Sequence, residues 1–143
     1  MKPIQKYSHC FVCGDKNEIG LKIDFFDEDG KAKTEFTPTH NFEGYKDILH
    51  GGIICTILDE VMIKSIIAQD ILTVTLEMDI RFKKMTRIGE KLLFEGWIKE
   101  DKGKIIITNG TATKTDGTVV AVAKGKYFKV KDDMKHLLGD SLK

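Results

Sequence analysis

The pattern of apolar and polar residues predicts one long buried helix between two groups of β-strands. Residues 53–68 are apolar on almost every side, and the acidic pair Asp59 and Glu60 lies in the middle of them. A helix that is apolar all round is buried, and a carboxylate within it is costly unless it has a partner or a task. Two glycines, Gly51 and Gly52, stand where this helix should begin.

Strand patterns flank the predicted helix on both sides. Before it, residues 21–27 and 31–37 predict two strands joined by a turn at Asp29-Gly30. After it the apolar period changes to two, and further strands are predicted at residues 73–82, 91–99, 104–115 and 118–130. The clearest alternation is in 73–82, where Thr75 is predicted on one face and the apolar residues on the other, namely Val74, Leu76, Met78, Ile80 and Phe82.

This order of elements predicts an α+β fold in which a curved antiparallel sheet of about six strands wraps around the central helix. Such a sheet needs one face covered, and one helix is long and apolar enough to cover it. The predicted organisation is a single domain at residues 19–131, an irregular segment at 1–18 that contains a Cys-x-x-Cys motif, and a charged tail at 132–143.

Length and charge narrow the function classes. The chain has 143 residues, which suits one domain. Its 23 basic and 22 acidic residues give a formal net charge of +1, so charge provides no argument for nucleic acid or an anionic membrane as partner. The start of the chain lacks a signal-peptide pattern, and three cysteines, an odd number, argue against a disulfide scaffold. We therefore expect a cytoplasmic protein.

The Cys-x-x-Cys motif of Cys10 and Cys13 has three possible interpretations. A structural zinc site needs four ligands, and the sequence offers two thiolates with His9 beside them. A thioredoxin-type redox motif would open a helix, but Gly14 follows and no helical pattern does. The third interpretation, an ordered loop that packs on the domain, is the one we adopt, so no metal ligands are predicted.

The start of the predicted helix has the chemistry needed to polarise a carbonyl group. The first amides of a helix have no partner within it and carry partial positive charge, and Gly51 and Gly52 leave those amides open to close approach. His50 directly precedes them, and Asp59 lies seven residues after Gly52, about 10 Å along the helix axis. One substrate can contact both groups only if two copies of the chain contribute them, which predicts at least a dimer. The alternative is a plain helix entry and a solvated stripe of charged residues.

The sequence resembles the hotdog-fold thioesterases, in the branch related to the phenylacetate-pathway thioesterase PaaI. The resemblance rests on His50-Gly51-Gly52, six further residues and then Asp59, and on the Cys-Phe-Val-Cys-Gly opening that begins at Cys10. It extends over residues 10–130 and includes the strand at 73–82 with the Ile-Gly-Glu that follows at 88–90. In this family, one long helix is wrapped by an antiparallel sheet.

The resemblance implies roles for individual residues. The Gly52 amide would bind the thioester carbonyl oxygen, and His50 would shape that pocket. Asp59 of the neighbouring subunit would be the acid/base carboxylate, which either activates water or attacks the carbonyl carbon itself. Thr75 would position the water or the carboxylate, and Gly51 would contact the substrate.

Two features depart from the family pattern. Gly44 stands where some relatives carry an asparagine, six residues before His50. The segment after the long strand is basic, and its Lys83, Lys84 and Arg87 stand where a proline is common in the family. This segment is either a solvated connection or a contact for the phosphates of coenzyme A.

The implied activity is hydrolysis of an acyl-CoA thioester to a carboxylic acid and free coenzyme A. No cofactor is expected, since coenzyme A is part of the substrate, and the expected assembly is a homodimer or a dimer of such dimers. The alternative is a non-catalytic module that binds acyl-CoA or lipid on the same fold. The sequence does not indicate the acyl group.

Overall fold

The computed structural model describes residues 1–131 and residue 134, so the predicted tail lies almost entirely outside the described residues. Within them the chain forms one α-helix, one 3-10 helix and seven β-strands. None of the described helices is long and apolar enough to cross a membrane. The elements in chain order are β1 (Lys2–Pro3), β2 (Phe26–Glu28), β3 (Lys31–Phe36), the 3-10 helix (His40–Phe42), α1 (Gly51–Ile67), β4 (Thr73–Phe82), β5 (Leu92–Asp101), β6 (Ile105–Lys114) and β7 (Val119–Lys129).

The seven strands form one antiparallel sheet in the order β1-β2-β3-β5-β6-β7-β4, and α1 packs against it. This confirms the predicted helix and curved sheet, with seven strands instead of about six. The four strands after the helix do not form one continuous meander, because β4 pairs with β7 and β5 pairs with β3. The helix, about 26 Å long, is long enough to carry the chain past β5, β6 and β7, about 19 Å of sheet.

Two opposed glycines let the helix approach the middle of the sheet. Gly96 of β5 pairs with Gly110 of β6. A Cβ atom on Gly96 would lie 2.5 Å from the carbonyl oxygen of Val61, and one on Gly110 would lie 3.0 Å from Met62 Cγ. Since such contacts are sterically forbidden or very tight, side chains here would push α1 away from the sheet. The gap that these two glycines leave therefore determines where the residues of α1 lie over the strands.

The first predicted strand forms at its end alone, as β2. Upstream of it, Lys22 has a positive φ of 53°, which interrupts extended structure. The amides of Leu21 and Ile23 donate to the carbonyl oxygens of Phe11 and Val12 instead. Residues 21–25 therefore hold the Cys-x-x-Cys loop against the domain.

Candidate active site

The helix start is capped by the side chain of His50. Its backbone is extended, with φ −63° and ψ 130°, and its Nδ1 accepts a hydrogen bond of 2.8 Å from the Gly52 amide. Its carbonyl oxygen accepts the Ile53 amide at 3.0 Å. These bonds satisfy two of the amides that a helix start leaves without partners.

The amide with no hydrogen-bond partner among the described residues is that of Gly51. A Cβ atom on Gly51 would meet the Phe82 ring at 3.5 Å, so the edge of β4 lies beside this position. The family resemblance implied the carbonyl-binding role for Gly52, but the Gly52 amide is bonded to His50. In this structure the Gly51 amide is the one available to an acceptor.

Asp59 is held by two hydroxyl groups from the sheet. Tyr127 Oη donates to Asp59 Oδ1 at 2.8 Å, and Thr75 Oγ1 donates to the same oxygen at 3.1 Å. Asp59 is partly buried, and within residues 1–131 and 134 it forms no ion pair. Two uncharged hydroxyl groups thus position the Asp59 side chain, and no lysine, arginine or histidine of the described residues pairs with it.

Sequence reasoning missed Tyr127. Its side chain is fully buried, and burial, with the nearby negative charge of Asp59, raises its pKa above the ordinary value. The phenol therefore stays neutral and keeps its proton for Asp59. A buried tyrosine usually needs a hydrogen-bond partner for its hydroxyl group. The inward position of Tyr127 in the last strand was therefore a signal in the sequence that a polar group lies opposite it.

A β-bulge brings Thr75 to Asp59. The register of β4 against β7 shifts between Thr75 and Glu77, and the extra residue reverses the alternation. Met78 packs against the core on the same side of the sheet on which Thr75 meets the helix. The predicted grouping of Val74 and Leu76 with Met78 was wrong, since the bulge lies between them and leaves both exposed. Bulges are common beside active sites, where they redirect a side chain.

Glu60 faces away from this site, because adjacent residues of a helix are offset by about 100° around its axis. Its Oε2 lies 3.5 Å from Cys10 Sγ and 3.7 Å from Lys64 Nζ. Burial raises the pKa of the Glu60 carboxyl to about 7. The two acidic neighbours therefore belong to different clusters.

The basic segment after β4 lies against the chain that leads into the helix. The Leu49 amide donates to the Thr86 carbonyl oxygen, and Arg87 forms an isolated bridge with Ile48. Lys83, Lys84 and Arg87 are exposed, and in the described part of the chain none of the three forms a salt bridge. Their charges are free to meet an anion near the helix start.

The two parts of the candidate site are separated within one chain. Gly51 and Asp59 are eight residues apart, about 12 Å along α1. A groove with a volume of about 850 Å³ contains no residue of α1 and is lined mainly by residues 21–42 and 93–95. By contrast, β4 has a strand neighbour on one side alone among the described residues and exposes Val74, Leu76 and Phe82.

Comparisons with known proteins agree with this architecture. A model of the thioesterase superfamily matches residues 46–121, just over half of the chain. No curated protein sequence matches it. Among solved structures, the thioesterase superfamily protein RHA08564 is similar with a TM-score of 0.80 and 24% identity, over 85% of this chain and 60% of that one. The chain thus spans about three fifths of that protein's length.

Two further structures are similar over most of both chains. The Escherichia coli PaaI protein of the phenylacetic acid degradation operon gives a TM-score of 0.72 and 19% identity, over 78% of this chain and 81% of that one. A hypothetical thioesterase protein from Streptococcus pneumoniae, solved with coenzyme A, gives a TM-score of 0.71 and 19% identity, over 76% of this chain and 88% of that one. Structures of two alanine variants of the latter exist, one at a threonine and one at an aspartate sixteen residues before it. The hotdog fold predicted from the sequence is confirmed.

Proposed function

The chain belongs to the thioesterase superfamily, and we propose that it is an acyl-CoA thioesterase whose active site is completed by a second copy of the chain. The observation that carries the proposal is the state of Asp59, a partly buried carboxylate held by Tyr127 and Thr75. Such a group is costly to a fold. Its retention next to two orienting donors favours a chemical role.

The proposed carbonyl site is the free amide of Gly51. Backbone amides at a helix start stabilise a developing oxyanion through their fixed orientation and partial charge. Since the Gly52 amide is bonded to His50, His50 would act by rigidifying the turn that presents Gly51. This modifies the role that the resemblance assigned to Gly52.

In the proposed reaction, Asp59 of one copy acts on a thioester whose carbonyl oxygen rests on Gly51 of the other. Asp59 either takes a proton from a water molecule that attacks the carbonyl carbon or attacks that carbon itself. The carbon–sulfur bond then breaks, and the coenzyme A thiolate leaves and is protonated. In the second route, water hydrolyses the resulting anhydride.

The open edge of β4 is the proposed place for the second copy. Pairing of two such edges would satisfy their free backbone groups and cover the exposed apolar side chains. It would place two α1 helices side by side and antiparallel, so that each helix start lies near the partner's carboxylate. Lys83, Lys84 and Arg87, beside the helix start, would then contact the phosphates of coenzyme A.

The S. pneumoniae thioesterase supports the assignment. It was solved with coenzyme A, and the aspartate and threonine replaced in its variants are separated by sixteen residues. Asp59 and Thr75 have the same separation.

The test of Asp59 is the variant Asp59→Asn, with Asp116→Asn in the exposed turn between β6 and β7 as the control. Each protein is incubated with a panel of acyl-CoAs, and free thiol is measured. We expect at least about 100-fold slower release with Asp59→Asn, normal release with the control, and unchanged acyl-CoA binding. Undiminished turnover in Asp59→Asn would overturn the assignment.

A proline tests the Gly51 amide. Proline is well tolerated at the first position of a helix, and the extended backbone of His50 suits the residue before a proline. Gly51→Pro removes the proposed donor, whereas Gly51→Ala keeps it with similar bulk beside Phe82. Loss of one oxyanion donor costs about 100- to 1000-fold in kcat. Equal kcat values in the two variants would exclude the Gly51 amide.

The alternative is a non-catalytic acyl-CoA-binding protein. The feature that favours it is the Gly52–His50 hydrogen bond, which occupies one helix-start amide without substrate. A wild-type protein that binds acyl-CoAs but releases no thiol from any of them would establish this alternative.

A further inference from the structure

A second cluster of polar groups connects the N-terminal loop to α1. The donor atoms of Cys10, Cys13 and Glu60 all lie within 4.8 Å of one another. Cys13 is fully buried, and the Glu60 side chain is 12% exposed. We propose that these three residues bind a zinc ion, which the thioesterase chemistry does not use.

The spacing of the donor atoms fits one tetrahedral ion. With Zn–S near 2.3 Å and Zn–O near 2.0 Å, two ligands at the tetrahedral angle lie about 3.5 Å apart for sulfur and oxygen and about 3.8 Å apart for two sulfurs. Cys10 Sγ lies 3.5 Å from Glu60 Oε2. Because every pair is within 4.8 Å, Cys13 needs to move by about 1 Å at most.

Backbone contacts fix the shape of the loop around Cys10. The Gly14 amide donates to the Cys10 carbonyl oxygen at 2.8 Å, and a Cβ on Gly14 would lie 2.5 Å from the Cys10 amide nitrogen. The Cys10 thiol donates to Glu60 Oε2 at 3.5 Å, so the loop already directs this sulfur at the carboxylate of α1. When a metal replaces the Cys10 proton, the bond from Gly14 remains and keeps the loop in the conformation that orients this ligand.

Charge balance also favours a dication. Lys64 is fully buried, its Nζ lies 3.7 Å from Glu60 Oε2, and it donates to the Gln5 carbonyl oxygen. Two thiolates and one carboxylate carry three negative charges, and Zn²⁺ with the Lys64 ammonium carries three positive charges. The loaded cluster is neutral, as a buried ionic site requires.

Zinc is the favoured ion because paired thiolates select soft and borderline metals over magnesium or calcium. Three protein ligands leave the fourth tetrahedral position to water or another small ligand. Since the cysteines and Glu60 are about fifty residues apart in sequence, the ion would fasten the N-terminal loop to the central helix.

The experiment measures metal binding by the full chain. Metal-free protein, prepared under reducing conditions with a chelator, is titrated with zinc chloride against a chromophoric competitor. A separate metal-free sample is titrated with cobalt chloride, and the thiolate-to-cobalt charge-transfer band is recorded. We expect one ion per chain, a tetrahedral cobalt spectrum, and a higher Tm with zinc than without it.

Matched variants separate this site from adventitious binding. Cys10→Ser, Cys13→Ser and Glu60→Gln should each weaken zinc binding by more than about 100-fold, because they remove direct ligands rather than outer-shell groups. Cys55→Ser removes the remaining free thiol and should leave binding unchanged. Circular dichroism establishes that each variant is folded.

The proposal is overturned if the reduced wild-type protein binds no zinc, or if Cys55→Ser weakens binding as much as Cys10→Ser. It is also overturned by a second pair of results. In that case, mass spectrometry finds that Cys10 and Cys13 form a disulfide readily in air, and the reduced protein does not bind zinc. All readouts are independent of thioester hydrolysis, so this proposal and the proposed function can fail separately.

Discussion

Replacing Tyr127 with phenylalanine tests the structural basis of the carboxylate site. The substitution removes one oxygen atom from a fully buried side chain and keeps the ring that packs under α1. The lost bond is the 2.8 Å contact from Tyr127 Oη to Asp59 Oδ1. A hydrogen bond to a charged group contributes about 1.5–3 kcal/mol, so Tyr127→Phe should lower the free energy of unfolding by that amount.

A double-mutant cycle with Asp59→Asn isolates this bond. The asparagine keeps an acceptor but removes the charge, and a neutral hydrogen bond contributes about 1 kcal/mol. We therefore expect a coupling energy of about 0.5–2 kcal/mol between the two positions. Unfolding in urea is followed at one protein concentration, because a dimer makes apparent stability concentration-dependent.

Tyr45→Phe provides the matched control, since Tyr45 is 83% exposed. Its unfolding free energy should change by less than about 0.5 kcal/mol. If Tyr127→Phe is equally silent, or if the cycle shows no coupling, Tyr127 does not hold Asp59 and the reasoning for the carboxylate site fails. In activity assays, Tyr127→Phe should lower kcat less than Asp59→Asn does, because Thr75 still donates to Asp59.

Three further predictions follow from the same structure. The pKa of Tyr127 is raised in the folded state above its ordinary value of 10.0 by burial and by the charge of Asp59, so its contribution to stability is complete below pH 10 and declines progressively as the pH rises above 10. The difference in unfolding free energy between wild type and Tyr127→Phe should thus narrow above pH 10, by up to about 1.4 kcal/mol per pH unit, and a constant difference would contradict this. His50→Ala should cost about 0.5–2 kcal/mol in urea unfolding because it removes the helix cap, whereas exposed His40→Ala should not; equal effects would argue against the cap. Leu76→Lys at the open edge of β4 should raise the dimer dissociation constant at least about tenfold in sedimentation experiments, Val119→Lys should not, and an unchanged Leu76→Lys dimer would remove β4 from the interface.

Much of the fold followed from local patterns. The long apolar run at residues 53–68 predicted the central helix, and the period-two alternation after it predicted β4 to β7 with small errors at their ends. Local periodicity determines which elements form because the side-chain repeat of each element is intrinsic to its backbone. The glycine pair and Asp59 could be found in the same way, since their separation on one helix is fixed by its rise.

Local sequence patterns could not predict the contacts between different helices and strands. No spacing rule joins Asp59 to Tyr127, which lies 68 residues away, because that hydrogen bond depends on the register of β7 under the helix. The bulge that turns Thr75 toward Asp59 is likewise a shift in the register between β4 and β7, so the sequence of β4 alone does not reveal it.

The start of α1 separates most clearly what the sequence determines from what the tertiary structure decides. Its sequence determined that His50, Gly51 and Gly52 would meet at a helix start, because neighbours in the chain are neighbours in space. The tertiary structure decided that the Gly52 amide bonds to His50 while the Gly51 amide stays open beside Phe82. It also decided that Glu60 meets Cys10 and not the Asp59 site. Hydrogen bonds depend on distances of a few tenths of an ångström, and packing between elements, rather than sequence spacing, sets distances that finely.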